Sequence, residues 1–230
     1  MKNYVVIGGS SGIGKEIVLD LNREGESVYA TYNNVKPDEK SGVHYYHFNV
    51  KDNLDVLDDL PEVIDGLVYC PGSINLKPFS RTKDEEFVDD FELQVLGAVR
   101  LIRNFLPKLK KSGNSSIVLF STIAVQKGYG FHSIVSASKG AIEGLVRSLA
   151  AELAPAIRVN AIAPSLTKTG LAERFLNSEK KLEAQILANP MKKIGEPKSV
   201  AKAACFLLKE ESNWITGQII HIDGGQSVLG

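Results

Sequence analysis

Short apolar runs bounded by glycine, proline or polar clusters recur along the chain, and amphipathic stretches of helical period separate them. YVVIG, SVYAT, VHYYHFN, GLVYC, SSIVLFS, IRVNAIA and GQIIHID are seven candidate strands. Between the first two, KEIVLDLNREG places Ile17, Val18 and Leu21 on one helix face and closes at Gly25, a helix stop. From Asp84 to Leu106, Phe87, Phe91, Val95, Val99, Ile102 and Phe105 repeat at helical spacing, as do Ile142, Leu145, Val146, Leu149 and Leu153 further on. These stripes predict helices packed on the sheet, with an oligomer interface on the opposite face as the alternative. The alternation of strand and helix predicts an α/β fold: one doubly wound, parallel, seven-stranded sheet with helices on both faces. Only a small helix fits between Asn49 and Gly66, because Pro61 breaks that stretch. No linker or repeat divides the chain, so residues 1–230 are expected to form a single domain.

A sheet of this kind binds ligands beyond the carboxyl ends of its strands, where strand order reverses. The sequence IGGSSGIGKEI, directly after the first strand, fits that place. Its glycines Gly8, Gly12 and Gly14 allow a tight turn and close approach of a pyrophosphate, while the following helix offers unpaired N–H groups. Ser10, Ser11 and Ile13 complete the expected dinucleotide loop. The second strand ends in YATYNNVKPDEK, without the carboxylate that would bind an adenosine ribose. NADP is therefore expected over NAD, with Asn33 and Lys36 as phosphate contacts.

Charge and composition narrow the field. Lys plus Arg equals Asp plus Glu at 27 each, so no net charge draws the chain to nucleic acid or an acidic membrane. MKNYVVIGGS lacks the features of a signal peptide, and no apolar stretch reaches spanning length. With only Cys70 and Cys205, a disulfide framework is not expected and a cytoplasmic location is. His44, His47 and His221 sit on candidate strands without ligand spacing, so no metal site is expected.

GGSSGIG, RVNAIAPSLTKT and the tail PMKKIGEPKSVAKAACFLLKEESNWITGQIIHIDGG together resemble the short-chain dehydrogenase/reductase family along almost the whole chain. The sequence departs from the family pattern at Ile7 (usually threonine), Asn49 (aspartate), Ser165 (glycine) and YCPG (Asn-Asn-Ala-Gly). The resemblance implies a Rossmann sheet of order 3-2-1-4-5-6-7, NAD(P) as hydride carrier, a small-molecule substrate and a homotetramer or homodimer. It also implies that the helices around 84–106 and 138–153 pack across subunits. Asn49 and Val50 would lie near the adenine, Gly72 would keep the turn after the fourth strand open, and Pro164 and Thr167 would approach the nicotinamide. Residues from about 167 to 190 would cover the substrate.

In that family a tyrosine exchanges the proton, a lysine four residues later lowers its pKa and holds the nicotinamide ribose, a serine binds the substrate oxygen and an asparagine supports a water relay. Carried across, the lysine is Lys139, the serine position is Thr122 with Ser121 beside it, and the asparagine position is Gln94. The tyrosine position is Val135, which has no proton to give. His132, one turn earlier if the helix extends that far, and Tyr129 are the candidate replacement acids. His132 also lies seven residues before Lys139, where the related enoyl reductases place their tyrosine. Tyr69 and Cys70 are expected near the nicotinamide. Two functions follow: an NADP-dependent oxidoreductase with an altered proton donor, acting on a small carbonyl, alcohol or conjugated substrate, or a catalytically weakened dinucleotide-binding protein serving as redox sensor or assembly subunit.

Overall fold

The computed structural model describes residues 1–34 and 36–229. Along the chain run β1 (Asn3–Ile7), α1 (Gly12–Arg23), β2 (Ser27–Tyr32), β3 (Val43–His47), β4 (Gly66–Tyr69), α2 (Asp84–Phe91), α3 (Gly97–Ser112), β5 (Ser115–Phe120), α4 (Ile123–Lys127), α5 (Ser133–Leu153), β6 (Ile157–Pro164), α6 (Glu173–Leu176), α7 (Glu179–Ala188), α8 (Pro197–Leu208) and β7 (Ile219–Ile222). The strands form one sheet in the order β3-β2-β1-β4-β5-β6-β7, with every pairing parallel. Strand order therefore reverses between β1 and β4, and the crevice of a doubly wound sheet opens there.

The strands are apolar throughout because both faces are covered. Successive side chains point to opposite faces, and the core accordingly divides in two. Val5, Ile7, Leu67, Ile117, Leu119, Val159 and Ala161 meet Leu101, Phe105 and Leu109 of α3 and Ile142, Val146 and Leu153 of α5. Their neighbours Tyr4, Val6, Val28, Ala30, Val68, Val118 and Ile162 meet Ile17, Val18 and Leu21 of α1 and Val200, Ala204 and Leu208 of α8. Replacing Ile117, fully buried in the first layer, with alanine would cost roughly 2–5 kcal/mol.

The stretch read as one helix from 84 to 106 is longer and interrupted. A single wide π turn at Glu92–Leu96 separates α2 from α3, and α3 runs through Pro107 to end at Gly113, whose φ of 74° makes the left-handed cap. The interruption divides the apolar stripe. Val95, Ile102 and Phe105 are buried and Val99 packs against them, whereas Phe91 remains exposed and Phe87 only half-buried. In their place Asp90 and Gln94 face inward. Between Asn49 and Gly66 there is only one short turn, Asp55–Leu57.

Candidate functional site

At the carboxyl ends of β1, β2, β4, β5 and β6 lies a cleft of about 1290 Å³. Its cofactor-side wall is the loop from Gly8 to Gly14. Gly8 has φ +77°, and its N–H donates to Thr31 Oγ1 at 2.9 Å, while the Gly9 N–H donates to the Thr31 carbonyl at the same distance. A Cβ on Gly14 would stand 2.2 Å from the Gly8 carbonyl oxygen, so the helix can begin this close to the strand only with glycine. Ser11 is the N-cap of α1, and its side chain makes no capping bond. The N–H groups of the first turn are thereby left for an anion.

The remaining expected cofactor residues line the same cleft: Ser10, Gly12 and Ile13 in the loop, Asn33 and Lys36 beyond β2, Asn49 and Val50 beyond β3, Gly72 beyond β4, and Pro164 and Thr167 beyond β6. Asn34 and Lys40 join them. Lys36 is paired with Glu39 at 3.2 Å, a solvent-exposed contact of little energetic weight.

At the other end the cleft gathers Gln94, Ser121, Thr122, Tyr129, His132, Val135 and Lys139. Lys139, on α5, is 8% exposed. Burial pulls its ammonium down to about 8, against the attraction of Asp90 and Cys70. Val135, one turn earlier on the helix, is buried beside it. Thr122 caps α4, accepting from the Ala124 N–H at 3.3 Å, so its hydroxyl hydrogen remains to donate into the cleft. Ser121 is committed elsewhere: its hydroxyl donates to Glu143 Oε1 at 2.8 Å.

The helix does not extend back to His132. It begins at Ser133, with His132 as N-cap, so His132 does not share a helical face with Val135. His132 Nδ1 lies 2.8 Å from the Gly130 carbonyl. A carbonyl only accepts, so Nδ1 carries the hydrogen and Nε2 is left clear of that contact. The Tyr129 ring lies 5.4 Å from the His132 ring. Its hydroxyl is buried without a hydrogen-bond partner among the described residues, and burial raises its pKa.

Tyr69 turns away from the cleft. Its hydroxyl donates to the Leu93 carbonyl in the space above Gly97, where a Cβ would meet it at 2.3 Å. Cys70 lines the cleft, but desolvation pushes its thiol up to about 12 despite Lys139 nearby, so it is a protonated thiol at neutral pH. His44 stacks on Tyr29, and His47 bonds the Asn33 carbonyl. Among the described residues no group of three metal-ligating side chains assembles, and no helix is long and apolar enough to cross a membrane.

The segment after β6 covers the far end. Thr167 and Gly195 pair at its base, and the Arg174 guanidinium donates to the Ile74 carbonyl across the cleft. Leu171, Phe175, Gln185 and Ala188 line the cavity from this cover. Sequence reasoning located the segment but not these side chains. It also missed Asp90, which is 2% exposed, accepts from Ser73 Oγ and accepts from Gln94 Nε2 at 2.7 Å. Its spacing four residues before Gln94 was the available signal.

A family model described as Enoyl-(Acyl carrier protein) reductase matches residues 8–227. Among curated proteins, the chain is 32% identical to a tropinone reductase homolog of Arabidopsis thaliana, covering 100% of this chain and 93% of the relative. It is 30% identical to the 3-oxoacyl-(acyl-carrier-protein) reductase FabG of Thermotoga maritima, covering 97% of each. Among solved structures, the aldohexose dehydrogenase of Thermoplasma acidophilum in ligand-free form superposes with a TM-score of 0.91 at 28% identity, covering 100% of this chain and 95% of that one. A short-chain type dehydrogenase/reductase from Mycobacterium ulcerans superposes with a TM-score of 0.89 at 28% identity, covering 99% and 90%. The chain belongs to the short-chain dehydrogenase/reductase family, whose oxidoreductases bind NAD(P).

Proposed function

We propose that the protein is an NADP(H)-dependent oxidoreductase that works on a small carbonyl, alcohol or conjugated substrate with a proton donor other than a side chain at position 135. The observation that carries this reading is the convergence of the glycine loop, Gln94, Thr122 and Lys139 on one covered cleft. The site fits a dinucleotide: Gly8 and Gly12 hold positive φ angles where the chain turns into α1, and Gly72 leaves open the space beside Lys139 Nζ and Gln94 Oε1. Bound there, NADP(H) would supply or accept the hydride. A structural relative, ElxO, has been solved with NADP bound, at a TM-score of 0.88 and 27% identity. At the adenosine end Lys36 and Lys40 line the cleft with a single carboxylate, Asp38, between them, and no carboxylate stands at the tip of β2 itself; this balance favours the extra phosphate.

This chain's residues then divide the remaining work. Lys139 places a positive charge in a desolvated pocket, where it acts strongly on a developing alkoxide. The Thr122 hydroxyl donates to the substrate oxygen. Tyr129 and His132 form the protic end: the buried Tyr129 hydroxyl has no other partner among the described residues, and the His132 ring lies 5.4 Å from the Tyr129 ring in the same cleft. Val135 supplies only packing. Its inertness favours the second reading, a dinucleotide-binding protein that reports redox state or completes an assembly. The apolar surface of Phe87, Val88, Phe91 and Leu96 suits the pairing of long helices in a homodimer or homotetramer.

The test is NADPH oxidation against a panel of small ketones, aldehydes and activated alkenes, repeated with Tyr129→Phe and His132→Phe. A fall of roughly 100-fold or more in kcat for one variant is expected of a general acid. Unchanged turnover in both would remove the relocated donor, and inertness towards the whole panel would favour the second reading.

A further inference from the structure

Asp90 is a buried carboxylate with no place in the chemistry described so far. Burying a carboxylate is costly unless charge-assisted bonds compensate. Here Ser73 Oγ and Gln94 Nε2 each donate to one of its two oxygens. This pairing has a consequence for Gln94. A carboxylate only accepts, so it selects the amide nitrogen and turns the Gln94 carbonyl the other way. That oxygen, on a residue with 0% exposure, has no partner among the described residues. It points to the cleft floor, where a Cβ built on Gly72 would lie 3.3 Å from Gln94 Oε1 and 3.7 Å from Lys139 Nζ. An orphan acceptor and a buried ammonium thus flank one point, and the carboxylate stands directly behind the acceptor.

We propose that Asp90 is a positioning residue: anchored by Ser73, it fixes the Gln94 carbonyl towards the cleft and keeps the Lys139 ammonium charged beside it. The need is specific to this chain, because burial favours neutral Lys139 and position 135 brings no polar group to its aid. Among the described residues, the groups that act on the Lys139 charge are Asp90 from α2 and Cys70 from the end of β4, and Tyr129 and His132 line the same end of the cleft. The thiol is protonated at neutral pH, so Asp90 is the counter-charge. The π turn at Glu92–Leu96 serves the same end, since it sets Gln94 inward one turn after Asp90.

The proposal uses the oxidoreductase reading only for what the charge accomplishes, and its test needs neither cofactor nor substrate. In ligand-free protein labelled with ¹³C and ¹⁵N, the Lys139 side-chain resonances are followed against pH, with Lys139→Met identifying the signals. Asp90→Asn, shown by circular dichroism to keep its fold, is expected to lower the Lys139 midpoint by on the order of one pH unit or more, as loss of a nearby opposite charge does. An unchanged midpoint in the folded variant overturns the proposal. Should Asp90→Asn fail to fold, the unmodified protein decides: the Lys139 resonances must inflect at the pH where the Asp90 carboxyl carbon titrates, and no inflection there overturns it equally. A failure of cofactor binding, by contrast, would count against the oxidoreductase reading alone.

Discussion

Lys139→Met should stabilise the protein at neutral pH. In the unfolded chain the lysine loses its proton near the ordinary value of 10.5, whereas in the fold desolvation brings this down to about 8, a figure that already includes the pull of Asp90. Below pH 8 the lysine is charged in both states and the fold bears the full cost. Between about 8 and 10.5 the unfolded chain holds a proton that the fold has released, so stability rises with pH. Above that window the cost is gone. The displacement corresponds to roughly 3 kcal/mol. Methionine matches the lysine stem without the charge, so the variant should melt about 6–12 °C higher at pH 7. Its advantage should shrink steadily as pH rises through 8 towards 10.5. Paired thermal melts at pH 6, 7, 8 and 9.5 measure this directly. A variant that melts lower at pH 7, or an advantage that does not change with pH, would refute the reasoning that Lys139 is held at a cost for function.

Three further outcomes follow from local geometry. Gly14→Ala forces a Cβ to within 2.2 Å of the Gly8 carbonyl, so the loop must deform, and NADPH affinity by calorimetry should fall at least 10-fold. Val135→Tyr places a phenol one helical turn before Lys139; a carbonyl-reducing activity raised 10-fold or more in steady-state assays would show a site limited by its proton donor, and no gain would show that the substrate pocket is not arranged for one. Arg158, 6% exposed, ties β6 to the Lys209 and Ser212 carbonyls at 3.0 Å each. Arg158→Met should therefore lower stability in urea by roughly 2–4 kcal/mol without altering cofactor affinity.

The sheet was legible because a parallel sheet buried on both faces writes each strand as an apolar run, and the glycine loop because only glycine survives at Gly8 and Gly14. The front of the long second helical region was not. Its periodicity marked Phe87 and Phe91 as inward, yet the π turn separates their stripe from that of α3, and Asp90 with Gln94 faces in. A sequence shows spacing, but one extra residue in a helical turn rotates everything beyond it by about 100°. His132 was misplaced for a related reason: the segment Gly128 to Phe131 takes positive φ at both ends, which stops α5 one residue short of it. The substrate cover was placed by resemblance alone, since α6 and α7 carry too little periodicity to show which of their side chains turn inward.

The central claim is that the cleft holds an NADP dinucleotide, and a fluorescence titration with NADPH and NADH in parallel tests it most directly. Saturable binding with NADPH the tighter of the two is the predicted result. No binding of either at millimolar concentration would contradict the account and leave the fold as a scaffold for association rather than for hydride transfer.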